Sequence, residues 1–305
     1  MISINEIEFA RQRIAGDVLL TPCAYSEKLS QLTGCELYLK LENLQKTGSF
    51  KDRGALNRIL SLSDEERGAG IIAASAGNHA QGVAHAARIC GLKCIIVMPE
   101  TTPLSKVNGT RELGADIVLH GAGYDNAFEE ASRLRQEHGY TLVHAFDDEA
   151  VIAGQGTIGL ELLEQVPDMD AVIVPVGGGG LASGVAVALD GTGVESVVVE
   201  PELAGDFAAS VAAGRHLSWD VSDTVRTVAD GLRLPAVGDL PWQHLHARAV
   251  RAVTVTEAEI VSAQQWLSDQ GIRAEPSGAV SVAGALAAAD GVAVAVVSGG
   301  NAPPE

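Results

Sequence analysis

A repeating alternation constrains this chain most. Short, near-continuously apolar runs are separated by longer amphipathic segments. The runs are Glu36–Leu41, Ile71–Ala74, Cys94–Val97, Asp116–Leu119, Ala171–Val176, Ser196–Glu200 and Val292–Val297. A strand that is apolar at nearly every position needs cover on both faces, as inside a parallel sheet. The intervening segments predict helices over Gly77–Ile89, Leu104–Leu113, Tyr124–Glu137, Ala150–Glu164, Gly180–Leu189, Glu257–Asp269 and Ser277–Ala288. β and α alternating over short connections predict a doubly wound α/β fold. The units fall into two series, which predicts a small domain, residues 62–147, inserted into a larger one made of 1–61 and 148–305. Ligands in such folds bind at the carboxyl ends of the strands, here in a cleft between the domains.

Composition narrows the partners. The net charge of −18 argues against nucleic acid and against an anionic membrane. The N-terminus lacks a charged-then-apolar signal pattern, and no apolar run is long enough to span a bilayer, so a cytoplasmic protein is expected. Aromatic residues make up only 4% of the chain, so the core must be aliphatic. Cys23, Cys35, Cys90 and Cys94 show no zinc spacing and are expected to be reduced, mostly buried thiols.

Four motifs carry chemistry. In Ser49-Phe50-Lys51-Asp52-Arg53-Gly54, Ser49 reads as a helix N-cap and Lys51 as a first-turn residue. The helix dipole there disfavours a cation and favours a nucleophilic amine. The chain has only six lysines, the last at Lys106, so candidates for a Schiff base are few. Gly177, Gly178, Gly179 and Gly180 follow an apolar run and open a helix, an arrangement whose N–H groups can converge on a phosphate. The same loop, as Gly177-x-Gly179-x-x-Ala182 with Glu200 after it, also fits a dinucleotide fingerprint, so an NAD-dependent oxidoreductase is an alternative. Ser75-Ala76-Gly77-Asn78-His79 lies between a strand and a helix and can offer N–H groups to a carboxylate. Ser298 ends the last strand, where its hydroxyl can meet a ring nitrogen.

Taken in this order, the motifs resemble the fold-type II pyridoxal-phosphate enzymes, of the serine/threonine dehydratase and serine racemase branch. The resemblance runs from Thr21-Pro22 to Ser298 and includes Lys40-Leu-Glu-Asn43, Ala153-Gly-Gln-Gly-Thr157, Thr227-Val-Ala-Asp-Gly231 and Glu275-Pro-Ser-Gly-Ala279. It implies a tryptophan synthase β-like architecture and a Schiff base between pyridoxal 5′-phosphate and Lys51. Phe50 would pack beside the ring, Asn78 would bond the 3′-oxygen, Gly177 to Gly180 would hold the phosphate, and Ser298 would face the pyridine nitrogen. Ser75, Ala76, Gly77, Asn78 and His79 would grip the substrate carboxylate. The implied reaction is β-elimination from a small β-hydroxy amino acid, threonine or serine first, giving a 2-oxo acid and ammonia. Tyr124, Phe146 and Leu234 are expected to border the side-chain pocket.

Departures from the family pattern sharpen this. Serine racemases of the branch carry a serine where this chain has Ala76, so little racemase activity is expected. The sequence ends shortly after Ser298, and no isoleucine feedback through a C-terminal domain is expected. Glu200, Ala204 and Asp206 resemble a divalent-cation loop whose oxygen ligands suit Mg²⁺, Ca²⁺ or Mn²⁺. A homodimer or homotetramer is the expected assembly. The alternatives within the fold are a dehydratase for 3-hydroxyaspartate or phenylserine, a serine racemase, or a non-catalytic sensor.

Overall fold

The computed structural model describes residues 1–301 and has two sheets. The strands are β1 (Cys23–Tyr25), β2 (Glu36–Leu41), β3 (Ile71–Ala74), β4 (Cys94–Met98), β5 (Asp116–Leu119), β6 (Thr141–Leu142), β7 (Ala171–Pro175), β8 (Glu195–Pro201), β9 (Arg251–Val255) and β10 (Val292–Val297). The larger sheet runs β1-β2-β10-β7-β8-β9 and the smaller β5-β4-β3-β6. All pairings are parallel except β1 with β2. The larger sheet therefore draws on both ends of the chain, with β2 lying beside β10.

Both sheets are covered on both faces, as the apolar runs require. Ile173, Val197, Val199, Ala295 and Val297 share one core cluster with the helices Glu257–Ser268 and Pro276–Ala288. Their chain neighbours Val172, Val174, Val198, Val294 and Val296 point to the other face, into a second cluster with the helices Glu149–Gln165 and Gly180–Ala188. This is the two-residue period of a strand. The small sheet repeats it, with Ile71, Ala73 and Ile96 on one face and Ile72, Ala74 and Val97 on the other. Each fully buried aliphatic side chain contributes roughly 1.5–3 kcal/mol.

The seven predicted strands form, with ends shifted by a residue at most. Three short or edge strands escaped the sequence reading. β1 and β6 have only three and two residues, and β9 lies at a sheet edge with exposed positions, so none is a continuous apolar run. The thiols are all free, but only Cys94 is buried; Cys23, Cys35 and Cys90 are half-exposed, because they sit near element ends rather than within core faces. No helix among the described residues is long and apolar enough to cross a membrane.

The helix Lys51–Leu60 joins the two sheets. Its Ala55, Leu56 and Ile59 enter the core cluster of the small sheet. Its opposite side touches the helix Glu149–Gln165, where a Cβ on Gly154 would lie 2.7 Å from the Arg53 carbonyl oxygen and from the Gly54 Cα. Two facing glycines thus let the helices approach closely at the start of the Lys51 helix.

Candidate active site

The Lys51 helix begins in a tied loop. Ser49 and Gly299 form an isolated antiparallel bridge. The Phe50 N–H donates to the Ser298 carbonyl at 3.1 Å, and the Gly300 N–H to the Gly48 carbonyl at 2.9 Å. Asp52 accepts from the Thr47 N–H at 2.9 Å and from the Thr47 hydroxyl. Ser49 is not the N-cap that the sequence suggests. Phe50 occupies that position with helical backbone, and the Ser49 hydroxyl is buried without a partner among the described residues. The bridge to Gly299 turns the serine away from the helix end.

Lys51 Nζ donates to the Ala145 carbonyl at 2.7 Å and lies 5.0 Å from the centroid of the Phe50 ring. No carboxylate pairs with it among the described residues. Burial lowers its pKa to about 8, so desolvation sensitises the amine. Gly82 makes room for the lysine, since a Cβ there would sit 3.1 Å from the Lys51 carbonyl carbon.

Gly177 to Gly180 lie between β7 and the helix Gly180–Ala188, and Gly179 has φ +87°. No hydrogen bond among the described residues takes up the N–H groups of these four glycines. Phe146 packs on the loop so closely that a Cβ on Gly178 would lie 2.2 Å from its ring. Phe146 also ends a row of ring contacts through His144 and Phe128 to Tyr124.

The second loop is more committed than the sequence implies. The Gly77 N–H donates to the Ser75 hydroxyl at 3.2 Å. His79 Nε2 bonds the Val143 carbonyl at 2.9 Å, while Nδ1 is buried without a partner. Burial drives the His79 pKa down to about 3, so the ring is neutral. Asn78 donates to Glu275 and accepts from Asn301. The backbone N–H groups of Ala76, Asn78 and His79 remain available. A Cβ on Gly77 would meet nothing within 4 Å, so the loop opens on free space. Ser298 is buried, and among the described residues its hydroxyl reaches only the Ser277 carbonyl, at 3.5 Å. A cavity of about 510 Å³ lined by Arg58, Arg135, His144 and Asp148 includes none of these motif residues.

These observations fit a phosphate-bearing carbonyl cofactor: unspent glycine amides, a desolvated amine and a nearly free serine hydroxyl. The comparisons settle the family. The profile of the family described as pyridoxal-phosphate dependent enzyme matches residues 14–299. The chain belongs to that family. An L-threonine ammonia-lyase of Thermotoga maritima is 48% identical to it, over 99% of this chain and 76% of the relative. A threonine deaminase from T.th. superposes with a TM-score of 0.94 at 40% identity, covering both chains completely. A maize serine racemase superposes with a TM-score of 0.93 at 37% identity, covering 99% of this chain and 94% of the other. The fold is therefore that of the fold-type II pyridoxal-phosphate enzymes, with two parallel-sheet domains.

Membership overturns the NAD alternative, and the geometry gives the reason. Glu200, cast there as the ribose acid, spends both oxygens on the Phe207 and Ala208 N–H groups at 3.1 and 2.8 Å. Asp206 lies close enough to raise the Glu200 pKa further, beyond what burial does, and itself accepts from the Val237 N–H at 3.0 Å. No cluster of three or more His, Cys, Asp or Glu forms among the described residues. Sequence reasoning assigned no role to Glu275, Asn301 or Asp230. Their motifs were visible, but their partners Asn78 and Lys106 lie far away in sequence.

Proposed function

We propose that this chain is a pyridoxal-phosphate-dependent ammonia-lyase that converts L-threonine or L-serine to a 2-oxo acid and ammonia. The observation that carries this is Lys51, a half-buried amine with no carboxylate partner among the described residues and tied by backbone to the Ser298 loop, in a chain so similar to an L-threonine ammonia-lyase. In this reading Lys51 links to the cofactor. The N–H groups of Gly177 to Gly180 hold its phosphate at a helix N-terminus. Phe50 flanks the ring, Asn78 donates to its 3′-oxygen, and the Ser298 hydroxyl donates to its nitrogen.

When bound, the cofactor supplies an electron sink for the bond broken at the substrate α-carbon. The residues do the rest. The N–H groups of the Ser75–His79 loop orient the substrate carboxylate. The Lys51 amine, freed when the substrate amine takes its place and neutral in a useful fraction near its pKa of about 8, accepts the α-proton, and the β-hydroxyl takes up a proton and leaves as water. A serine hydroxyl at the ring nitrogen leaves that nitrogen largely unprotonated, which favours elimination over amine transfer. Phe146, an aromatic wall beside the glycine loop, suits a substrate whose side chain ends in a methyl group. Ala76 carries no proton, so reprotonation from the second face is absent and racemisation is weak.

Release of 2-oxo acid from a panel of β-hydroxy amino acids tests the reading. Threonine and serine should be the best substrates, and Lys51→Ala should be inactive on all. Faster turnover of 3-hydroxyaspartate or phenylserine, or rapid formation of D-serine, would overturn the substrate assignment.

Finer points belong to the same proposal. The proposed divalent cation would sit between the Glu200 and Asp206 carboxylates and the Ala204 carbonyl, which no backbone N–H among the described residues bonds. Mg²⁺ or Ca²⁺ should then raise the Tm, and Asp206→Asn should abolish the rise. We place the small domain at 62–147 and the large domain at 1–61 plus 148–305. We expect a cytoplasmic homodimer or homotetramer, which sedimentation would distinguish from a monomer.

A further inference from the structure

We infer that Glu275 and Asn301 are positioning residues that clamp the Asn78 side-chain amide and leave it one N–H for the cofactor. The inference rests on the proposed contact between Asn78 and the 3′-oxygen, and adds to it two residues with no role in the elimination itself.

The geometry is a closed count. A side-chain amide has two N–H donors and an oxygen acceptor. Asn78 Nδ2 donates one hydrogen to Glu275 Oε1. Asn78 Oδ1 accepts from Asn301 Nδ2 at 2.8 Å. Asn301 Nδ2 spends its other hydrogen on the Thr47 carbonyl at 2.7 Å. A flipped Asn78 would set its oxygen against the Glu275 oxygen and its N–H groups against those of Asn301. Acceptor would face acceptor and donor would face donor, so only one orientation is satisfied. One Asn78 N–H remains uncommitted.

Two glycines make room for the clamp. A Cβ on Gly299 would lie 2.3 Å from Glu275 Oε1 and 3.1 Å from Asn78 Nδ2. Gly48 has φ +80°, and a Cβ there would lie 2.5 Å from Asn301 Oδ1. The clamp also links the surroundings of the two sheets. Asn78 starts a helix that packs on the small sheet, whereas Glu275, Asn301 and Thr47 flank the large one. Thr47 leads directly into the Lys51 loop. Glu275 is 6% exposed, and burial raises its pKa to about 7. A buried carboxyl facing two amides, with no cation in hydrogen-bond contact among the described residues, is costly unless it orders something.

The test measures pyridoxal-phosphate affinity by titrating the apoprotein, together with the visible absorbance of the loaded protein. Asn78→Ala, Glu275→Ala, Glu275→Gln, Asn301→Ala and the Asn78→Ala/Glu275→Ala double variant are compared. Losing one clamp bond should weaken binding by about tenfold in Glu275→Ala and Asn301→Ala. Glu275→Gln should stay within about threefold of wild type, because its side-chain carbonyl accepts the same N–H. The double variant should bind no more weakly than Asn78→Ala alone, since the clamp acts only through Asn78. The absorbance changes should follow the same order.

Full additivity in the double variant, or a loss in Glu275→Gln equal to that in Glu275→Ala, overturns the clamp. If Asn78→Ala weakens binding while Glu275→Ala and Asn301→Ala do not, the clamp fails and the Asn78 contact stands. If Asn78→Ala has no effect, the Asn78 contact itself fails. Should Glu275→Ala not fold, Asn301→Ala at the outer end of the clamp carries the same test.

Discussion

Lys51 and Arg53 lie two residues apart on one helix, yet their surroundings differ in kind. Arg53 is fully buried and gives paired hydrogen bonds to Glu42 and to Glu161, with further bonds to Thr157 and the Leu19 carbonyl. Lys40 completes that cluster on Glu161, so two cations face two carboxylates. Lys51 has a carbonyl and an aromatic ring and no anion. Burial opposes the charge at both sites. At Arg53 the two carboxylates outweigh it and the pKa rises; at Lys51 nothing does and it falls to about 8. Burial therefore decides the direction only where a partner is missing. The paired cluster bolts the helix to β2 and to the helix Glu149–Gln165, and the unpaired amine beside it is left reactive.

The largest expected effect breaks the bolt. Arg53→Ala leaves Glu42 buried without its cation and Glu161 with Lys40 alone, and should cost about 3–5 kcal/mol in urea unfolding. A loss below ~1 kcal/mol would mean that the cluster does not hold the helix.

The second prediction inverts the sign at Lys51. Its folded pKa of about 8 lies below the ordinary 10.5. Between these values the unfolded chain binds more protons, so this residue's share of stability rises with pH over that window and is most unfavourable below it. Lys51→Met should therefore stabilise the apoprotein by about 2 kcal/mol near neutral pH, with the gain shrinking at alkaline pH. Destabilisation at neutral pH would contradict the contrast with Arg53.

Glu275 extends the comparison to an acid without a cation in hydrogen-bond contact among the described residues. Its pKa is raised from 4.5 to about 7, so the native state holds more protons and stability falls as pH rises through that window. Glu275→Gln should flatten this slope and add about 1–2 kcal/mol at pH above 7. An unchanged slope would show that the carboxyl is not desolvated.

The smallest effect concerns the exposed counterpart of the bolt. Lys106 on the small-domain side pairs with Asp230 at 3.0 Å, and both are substantially solvent-exposed. Lys106→Ala should change stability by less than ~1 kcal/mol. A larger change would mean that this pair couples the two domains.

The α/β architecture was legible because buried parallel strands need apolar residues at nearly every position, as in Val292–Val297. β9, partly exposed at a sheet edge, lacked that pattern. Lys51, the glycine loop and Ser298 were legible as local motifs whose residue types and spacing carry their chemistry. One expectation fails, the Ser49 cap. A cap depends on what surrounds the segment, and Ser298 and Gly299 pull Ser49 out of that position. Desolvation, which lowers the lysine pKa, likewise depends on the surroundings. The Glu275–Asn78–Asn301 clamp joins segments some two hundred residues apart, a distance that no local pattern spans.

The most direct measurement traps the cofactor on the chain. The protein loaded with pyridoxal phosphate is reduced with borohydride, digested and mapped by mass spectrometry. The account predicts a pyridoxyl group on Lys51 and on none of the other five lysines. A label on Lys40, Lys46 or another lysine, or no label at all, would contradict it.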